Sequence, residues 1–310
     1  MAFYRCGMKK SAGGGYTQAD IDSYYVESEG VKYLPTNALF WNQNFNAPIN
    51  IGDNVADCTW MVGDNNDFNQ YVKIGNNVKI LDMAFIRCMN FNQPLNIPES
   101  VRSARSMLTN CHNFNQPVNL GNALPSTYTM FQDCHSFNQP ISLPENLTNA
   151  YSMFYNCYNF NQPLNFPQNL TSTSSMLRSC RSFNQPINLP ENAENCSLML
   201  KECTSFNQPS VVIPANVHNC ASMFDNCTNF AGNIYFKTVS PFTSHTNMFG
   251  FVAGTNNSLR KNIFFKPIMN ESFNVTNGFS IVANTITWTP MTNGFYNAAY
   301  NVYCYNNYAG

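Results

Sequence analysis

The apolar positions of this chain recur with one long period. A Phe returns every 23 residues at Phe45, Phe68, Phe91, Phe114, Phe137, Phe160, Phe183 and Phe206, and once more at Phe230 after a step of 24. Between one Phe and the next, the other apolar residues keep fixed offsets. Four and six residues on stand Leu95/Ile97, Val118/Leu120, Ile141/Leu143, Leu164/Phe166 and Ile187/Leu189, an alternation that predicts a short strand with one buried face. Ten residues on come Val55, Val78, Val101, Leu147 and Leu170, and thirteen on a small or mid-sized residue such as Ala104, Thr127 or Ala150. Sixteen and seventeen on, Met107-Leu108, Met130-Phe131, Met153-Phe154, Met176-Leu177 and Met199-Leu200 precede a Cys by three or four residues. This spacing predicts one turn of helix or a 3₁₀ turn with its apolar side inward. A fixed period of this length means stacked coils. The expected fold class is therefore a repeat solenoid. It has parallel short strands in 23-residue coils, turn or 3₁₀ segments between them, and a β-rich C-terminal cap.

The polar positions repeat as well. Asn69, Asn92, Asn115, Asn138, Asn161, Asn184 and Asn207 each follow the leading Phe, and each is followed by Gln. Amides recurring in a solenoid turn satisfy backbone groups of their own coil and the next. Pro94, Pro117, Pro140, Pro163, Pro186 and Pro209 stand where the turn hands over to the strand, where a missing N–H is tolerated.

Three segments follow from this pattern. Residues 1–35 are read as an N-terminal anchor or capping segment, with a joint at Gly13-Gly14-Gly15 and a short helix from Thr17 to Glu29 capped by Thr17. Residues 36–240 form the solenoid, and Asn37-Ala38-Leu39-Phe40 closes its open end. Residues 241–310 are a β-rich, Tyr- and Asn-rich cap or module. In it Asn262-Ile263-Phe264-Phe265-Lys266 echoes Asn233-Ile234-Tyr235-Phe236-Lys237. Its two Thr-Asn-Gly-Phe phrases, Thr276 to Phe279 and Thr292 to Phe295, carry the Asn-Gly signal of a two-residue hairpin.

Charge narrows the function. Charged residues make up 11% of the chain, 16 basic against 17 acidic, and no Lys/Arg stripe suits a nucleic acid backbone. The first thirty residues lack an export signal and no later run is long enough to span a bilayer, so folding in a cytosol is expected. Of the twelve cysteines, Cys88, Cys111, Cys134, Cys157, Cys180, Cys203 and Cys227 share one column. In neighbouring coils about 4.8 Å apart they lie within disulfide reach by distance, but in a reducing compartment they read as small buried hydrophobes in one slot. Neither Cys-x-x-Cys pairs nor finger spacing with His occurs, so no metal and no cofactor is assigned. Enzyme chemistry finds no motif among the four histidines. A carboxylate pair drawn from Glu145 and Glu191 falls in equivalent Pro-Glu-Asn turns, where a solvated role is the simpler one.

Binding residues are sought where the frame stays fixed and the residue varies. Two positions before each Phe run Met89, His112, His135, Tyr158, Arg181, Thr204 and Thr228; five after it run Lys73, Asn96, Asn119, Ser142, Asn165 and Asn188. The candidate ligand site is His112, His135, Tyr158 and Arg181, whose imidazole, phenol and guanidinium surfaces suit stacking on a sugar or planar group. The alternative is that the column only solubilises one face.

The frame Met130-Phe131, Cys134, Phe137 and Ile141 to Pro144 resembles the BspA-like, treponemal-type leucine-rich repeat, and the Phe-Asn-Gln phrase resembles the related repeat of mycoplasma-type surface lipoproteins. That resemblance implies a right-handed repeat solenoid of leucine-rich-repeat type, and binding at bacterial surfaces. Met1 to Gly7, followed by a Gly run, is similar to the start of tail and baseplate proteins of phages and prophages of Gram-positive bacteria. Together these imply a virion tail or fibre protein, assembled in the host cytoplasm and extracellular after lysis. It would dock on other virion proteins through its N-terminal segment and bind a bacterial surface glycan or protein, with a homo-oligomer left open. A purely structural virion protein (head fibre or tail decoration) and a bacterial surface adhesin are the alternatives.

Overall fold

The computed structural model describes residues 45–53 and 55–237, together with the backbone of seven further strand segments. The first two are β1 (Val26–Ser28) and β2 (Val31–Tyr33), which pair antiparallel with Val26 opposite Tyr33. Residues 26–28 were expected to end a helix and instead form a strand. Val26, Val31 and Tyr33 prefer extended backbone, and their pairing outweighs the capping signal at Thr17. The rest of that expected helix, Gly13 to Gly15 and Asn37 to Phe40 lie outside the described residues.

Within the array the leading turn delivers a strand of two or more residues in six coils: β3 (Ile49–Asn50), β4 (Val72–Lys73), β5 (Leu95–Asn96), β6 (Val118–Asn119), β7 (Ser210–Ile213) and β8 (Asn233–Phe236). The strands expected at Ile141/Leu143, Leu164/Phe166 and Ile187/Leu189 are segments without a ladder of their own, although their apolar residues Ile141, Leu143, Leu164, Ile187 and Leu189 are buried. Pairing is parallel and one coil apart, Ile49 on Val72, Leu95 on Val118 and Val211 on Ile234. The apolar residue of each two-residue strand points in and the polar one out. A second parallel ladder runs through Ser126, Asn149, Ser172 and Asn195. The single step of 24 has a definite place. Asn207 still reaches back 23 residues to Asn184, whereas Asn188 already bridges Val212, so the extra residue lies within 208–211.

The ladder continues into the C-terminal region. β9 (Asn262–Phe265) adds to β8 and β13 (Asn301–Cys304) adds to β9, both parallel. Between them β10 (Phe273–Val275), β11 (Phe279–Val282) and β12 (Thr285–Trp288) form an antiparallel meander. Its two-residue connection is Ala283-Asn284, flanked by Val282 opposite Thr285, and not Asn277-Gly278. Val275 pairs with Phe279, which leaves three residues between them; strand register has overridden the local turn signal. The second Thr-Asn-Gly-Phe phrase lies outside the described residues.

The Met-Phe segment departs from expectation. Among the described residues it forms no helix and no 3₁₀ turn but a run of linked turns. In the coil led by Phe91, Met107, Thr109 and Cys111 donate to carbonyls three residues back, while Ser106, Leu108 and Asn110 donate to Tyr128, Met130 and Gln132 of the next coil. Half of the N–H groups thus hold the coil together and half hold it to its neighbour. This alternation requires a left-handed residue fifteen and nineteen positions after the Phe, sixteen and twenty in the longer coil led by Phe206, and in eight successive coils both are present, from Trp60 and Asp64 to Ser222 and Asn226. None is a glycine, so each costs about 1–2 kcal/mol that the inter-coil bonds offset.

The inward side chains fill one continuous core. The leading Phe rings are fully buried and stack coil on coil, with centroids 5.8 Å apart for Phe91–Phe114 and 6.2 Å for Phe160–Phe183. Phe131 and Phe154 wedge beside them, 4.7 and 4.4 Å from Phe137 and Phe160. Burial of each such ring contributes on the order of 1.5–3 kcal/mol. The Cys column does more than fill space. Each Sγ donates to a carbonyl of the preceding coil, as Cys134 does to Leu108 at 3.1 Å and Cys157 to Phe131 at 3.0 Å. Burial and these donor roles hold them as thiols, and Cys58, Cys88 and Cys196 have pKa values pushed up, chiefly by desolvation, to about 12, 12 and 11.

At the start of each coil the amide ladder is complete. The Oδ1 of Asn138 accepts the N–H of Asn161 at 2.9 Å and Nε2 of Gln162 at 3.1 Å. The same pair of bonds recurs on Asn69, Asn92, Asn115, Asn161 and Asn184. A further amide ladder joins the Pro-Glu-Asn turns, with Asn169 Nδ2 donating to the Glu145 carbonyl and Asn216 Nδ2 to that of Glu191. These polar columns leave their backbone groups satisfied and fix the coil-to-coil register.

Candidate functional site

A strict period turns sequence offsets into columns, so the candidate residues can be placed directly. His112, His135, Tyr158 and Arg181 occupy one position in four consecutive coils, on the outer side of the turn run that follows the Met-Phe pair. The structure brings all four together. His112 stacks on His135 with centroids 4.3 Å apart, His135 on Tyr158 at 4.5 Å, and the Arg181 guanidinium lies over the Tyr158 ring at 4.5 Å.

This geometry changes what the column offers. The ring faces that His112, His135 and Tyr158 turn toward one another and toward Arg181 are covered by these contacts, which leaves the ring edges, the Tyr158 hydroxyl and the Arg181 N–H groups uncovered by the stack. The physical reason is the coil spacing of about 4.8 Å, which is close to ring-stacking distance and lets like columns stack on themselves. The pKa of His135 is lowered mainly by desolvation, with His112 and Arg181 adding to this and Asp133, whose Oδ1 is 4.0 Å from Nε2, opposing it.

Two further positions on the same run of turns were not singled out by the sequence reading. Tyr128 and Tyr151, fourteen residues after Phe114 and Phe137, stack at 5.0 Å and are 43% and 37% exposed. Eighteen residues after Phe137 and Phe160, Tyr155 carries the Arg178 guanidinium over its ring at 5.0 Å. The coils led by Phe114, Phe137 and Phe160 therefore present Tyr128 and His135, then Tyr151, Tyr155 and Tyr158, then Arg178 and Arg181. Their repetition at fixed offsets was the signal that could have found them. Other coils carry mostly small or non-aromatic residues at these offsets, such as Thr59, Gly63, Ser197 and Thr204.

The remaining candidates lie on a different face of the coil. Asn96, Asn119, Ser142, Asn165 and Asn188 point outward from the strand face and are exposed. Glu191 pairs with Lys237 Nζ. Among the described residues no group of three or more His, Cys, Asp or Glu is arranged to hold a metal, and no helix is long and apolar enough to cross a membrane.

Comparison with known proteins places this architecture. Two crystal structures are similar over much of the chain. One is a leucine-rich cell surface protein from Faecalibacterium prausnitzii A2-165, at 16% identity and TM-score 0.44, covering 68% of this chain and 64% of that one. The other is a leucine-rich repeat protein from Bacteroides ovatus ATCC 8483, at 15% identity and TM-score 0.45, covering 78% and 62%. The chain thus spans slightly less than two thirds of either. No curated protein matches it. A family model described as "Mycoplasma protein of unknown function, DUF285" matches three times, over residues 20–119, 98–188 and 167–262; Met1 to Gly15, on which the expected resemblance to phage tail proteins rests, fall outside these matches. Because the three matches together take in well over half of the chain, the protein belongs to the DUF285 family.

Proposed function

We propose that this protein is a non-enzymatic contact protein that binds a polymer at a bacterial surface through the outer turn face of its solenoid. The observation that carries the reading is the column His112–His135–Tyr158–Arg181, continuous over four coils and built on a frame whose backbone groups are already satisfied. Such a frame holds its outward side chains at fixed spacing, so a repeating ligand meets several of them at little ordering cost. In this reading the ligand is a cell-wall glycan or a surface protein. The chain acts as a virion tail or fibre component that docks on its particle through the N-terminal segment. A cell-surface adhesin would use the same face, and the two differ in where the chain is found.

The test is direct. The fluorescently labelled full chain is incubated with candidate host cells before and after enzymatic stripping of wall polysaccharide, and purified particles and cell envelopes are probed for it. Saturable binding that disappears on stripping, and that falls in Tyr158→Ala and Arg181→Ala variants with unchanged melting temperature, supports the reading. A chain that binds no cells, or whose binding survives both substitutions, overturns it. Detection in particles assigns the virion role, and detection in envelopes alone assigns the adhesin role.

A further inference from the structure

The tyrosine column at the fourteenth position ends abruptly. Tyr128 and Tyr151 stack nearly parallel, with 13° between their planes. The same position in the next two coils is Ser174 and then Ser197, hydrogen-bonded to each other at 2.9 Å. The face of Tyr151 that looks along the axis away from Tyr128 therefore meets no third ring, although the ring is 37% exposed. In its own column Tyr151 is the terminal platform, and the step beyond it is floored by two small hydroxyl side chains.

The coil that forms this floor also carries Arg178 and Arg181. Both guanidinium groups are pre-placed over tyrosine rings of the preceding coil. Arg178 forms a loose ion pair, its Nη2 4.0 Å from Glu202 Oε1, whereas Arg181, held over the Tyr158 ring, forms no ion pair among the described residues. The buried Nε of Arg178 has no acceptor at all. A ring platform, a hydroxyl floor and two oriented forks on one side match a ring-shaped, hydroxyl-bearing ligand with an anionic substituent.

We propose that the step after Tyr151 is a subsite for an acidic saccharide, with a sugar ring stacked on Tyr151 above Ser174 and Ser197 and a carboxylate or phosphate held by Arg178 and Arg181. This rests on the reading of the chain as a binder of surface polymers and names the chemistry of one site on that face.

The full chain is titrated by calorimetry with an oligogalacturonate, an oligomer of glycerol phosphate and neutral maltohexaose. At least one acidic oligomer should bind about tenfold more tightly than maltohexaose, with the gap narrowing at high salt; which one binds separates the carboxylate source from the phosphate source. Tyr151→Ala should weaken binding about tenfold or more, while Tyr151→Phe, which keeps the platform, should bind as the parent does. Arg178→Gln with Arg181→Gln should remove the preference for the acidic oligomer, and Tyr71→Ala, exposed elsewhere in the array, should change nothing. Equal binding of maltohexaose, or undiminished binding by Tyr151→Ala, overturns the subsite. If no oligomer binds while intact cells still do, the subsite fails and the surface reading stands; if cells are not bound either, the surface reading itself has failed.

Discussion

Removing one rung of the amide ladder should loosen one neighbouring coil and little else. In Asn138→Ala, the Oδ1 that accepts Asn161 N–H at 2.9 Å and Gln162 Nε2 at 3.1 Å is lost. Gln162 keeps the Asn138 carbonyl, also at 3.1 Å, so the change removes one hydrogen bond fully and a second in part. At roughly 0.5–1.5 kcal/mol net per bond, in a position that water can partly reach, the expected destabilisation is about 1.5 kcal/mol. Hydrogen exchange reads this locally. The Asn161 amide should exchange about tenfold faster, since a factor of ten corresponds to about 1.4 kcal/mol, and amides two or more coils away should hold their rates because coils interact with nearest neighbours. Asn138→Asp keeps both acceptor contacts and should restore most of the protection. An Ala variant whose Asn161 amide exchanges at the parental rate, or an Asp variant as fast as the Ala one, would refute the assignment of the bond.

Other perturbations test other parts of the frame. Ser222 has φ of 53°, so Ser222→Gly should raise stability by about 0.5–1 kcal/mol in urea unfolding, and Ser222→Val should lower it by more. Gly75→Ala would set a Cβ 2.3 Å from the Gly52 carbonyl oxygen; a backbone atom cannot turn aside, and a loss of about 2–3 kcal/mol is expected by the same measurement. The ten cysteines among the described residues, all buried, should resist iodoacetamide at pH 8 in the folded chain and react on denaturation, as counted by mass spectrometry. The folded pKa values of Cys58, Cys88 and Cys196 lie above the unfolded one, so the stability they contribute is complete below about pH 8.5 and declines as pH rises toward about 11–12; flat melting temperatures from pH 8 to 11 would contradict this. For His135 the sign is opposite. With its folded pKa lowered, its contribution is present above the unfolded value near 6.5 and is lost as pH falls; Asp133→Asn should lower that pKa further in an NMR titration.

How far the sequence could be read depended on whether a residue's role repeats with the coil. The core columns, the amide ladder and the inward alternation of the strand positions are legible, because the same residue type at the same offset in successive coils leaves only the position to be worked out; that the positions around Ile141, Leu164 and Ile187 would not form a ladder was not. The stack His112–His135–Tyr158–Arg181 was legible for that reason too. Its chemistry was not, because the ring faces close on one another only at the actual coil spacing. Tyr128, Tyr151, Tyr155 and Arg178 were overlooked although their offsets are as regular, since a search by variation favoured the positions nearest the leading Phe. The left-handed residues were invisible. Left-handed backbone is ordinarily marked by glycine, and here residues as different as Trp60, Thr129 and Leu198 adopt it, so a Met-Phe-x-x-Cys spacing read as helix. The cysteine slot was correctly placed by period, but its bond to the carbonyl of the preceding coil depends on geometry that composition does not record.

The backbone of a coil contains two conformations that an isolated peptide of the same sequence would avoid, and the hydrogen bonds that compensate them belong to the coil next door. A coil therefore has no stable existence by itself, and shape information passes from one to the next along the stack. Growth of the array by whole repeats is then conservative: a duplicated coil inherits its mould from its neighbour, whatever side chains it carries outward. The outer turn face is free to diverge residue by residue while the rod beneath it stays the same, so a family built this way can change what it touches without changing how it folds.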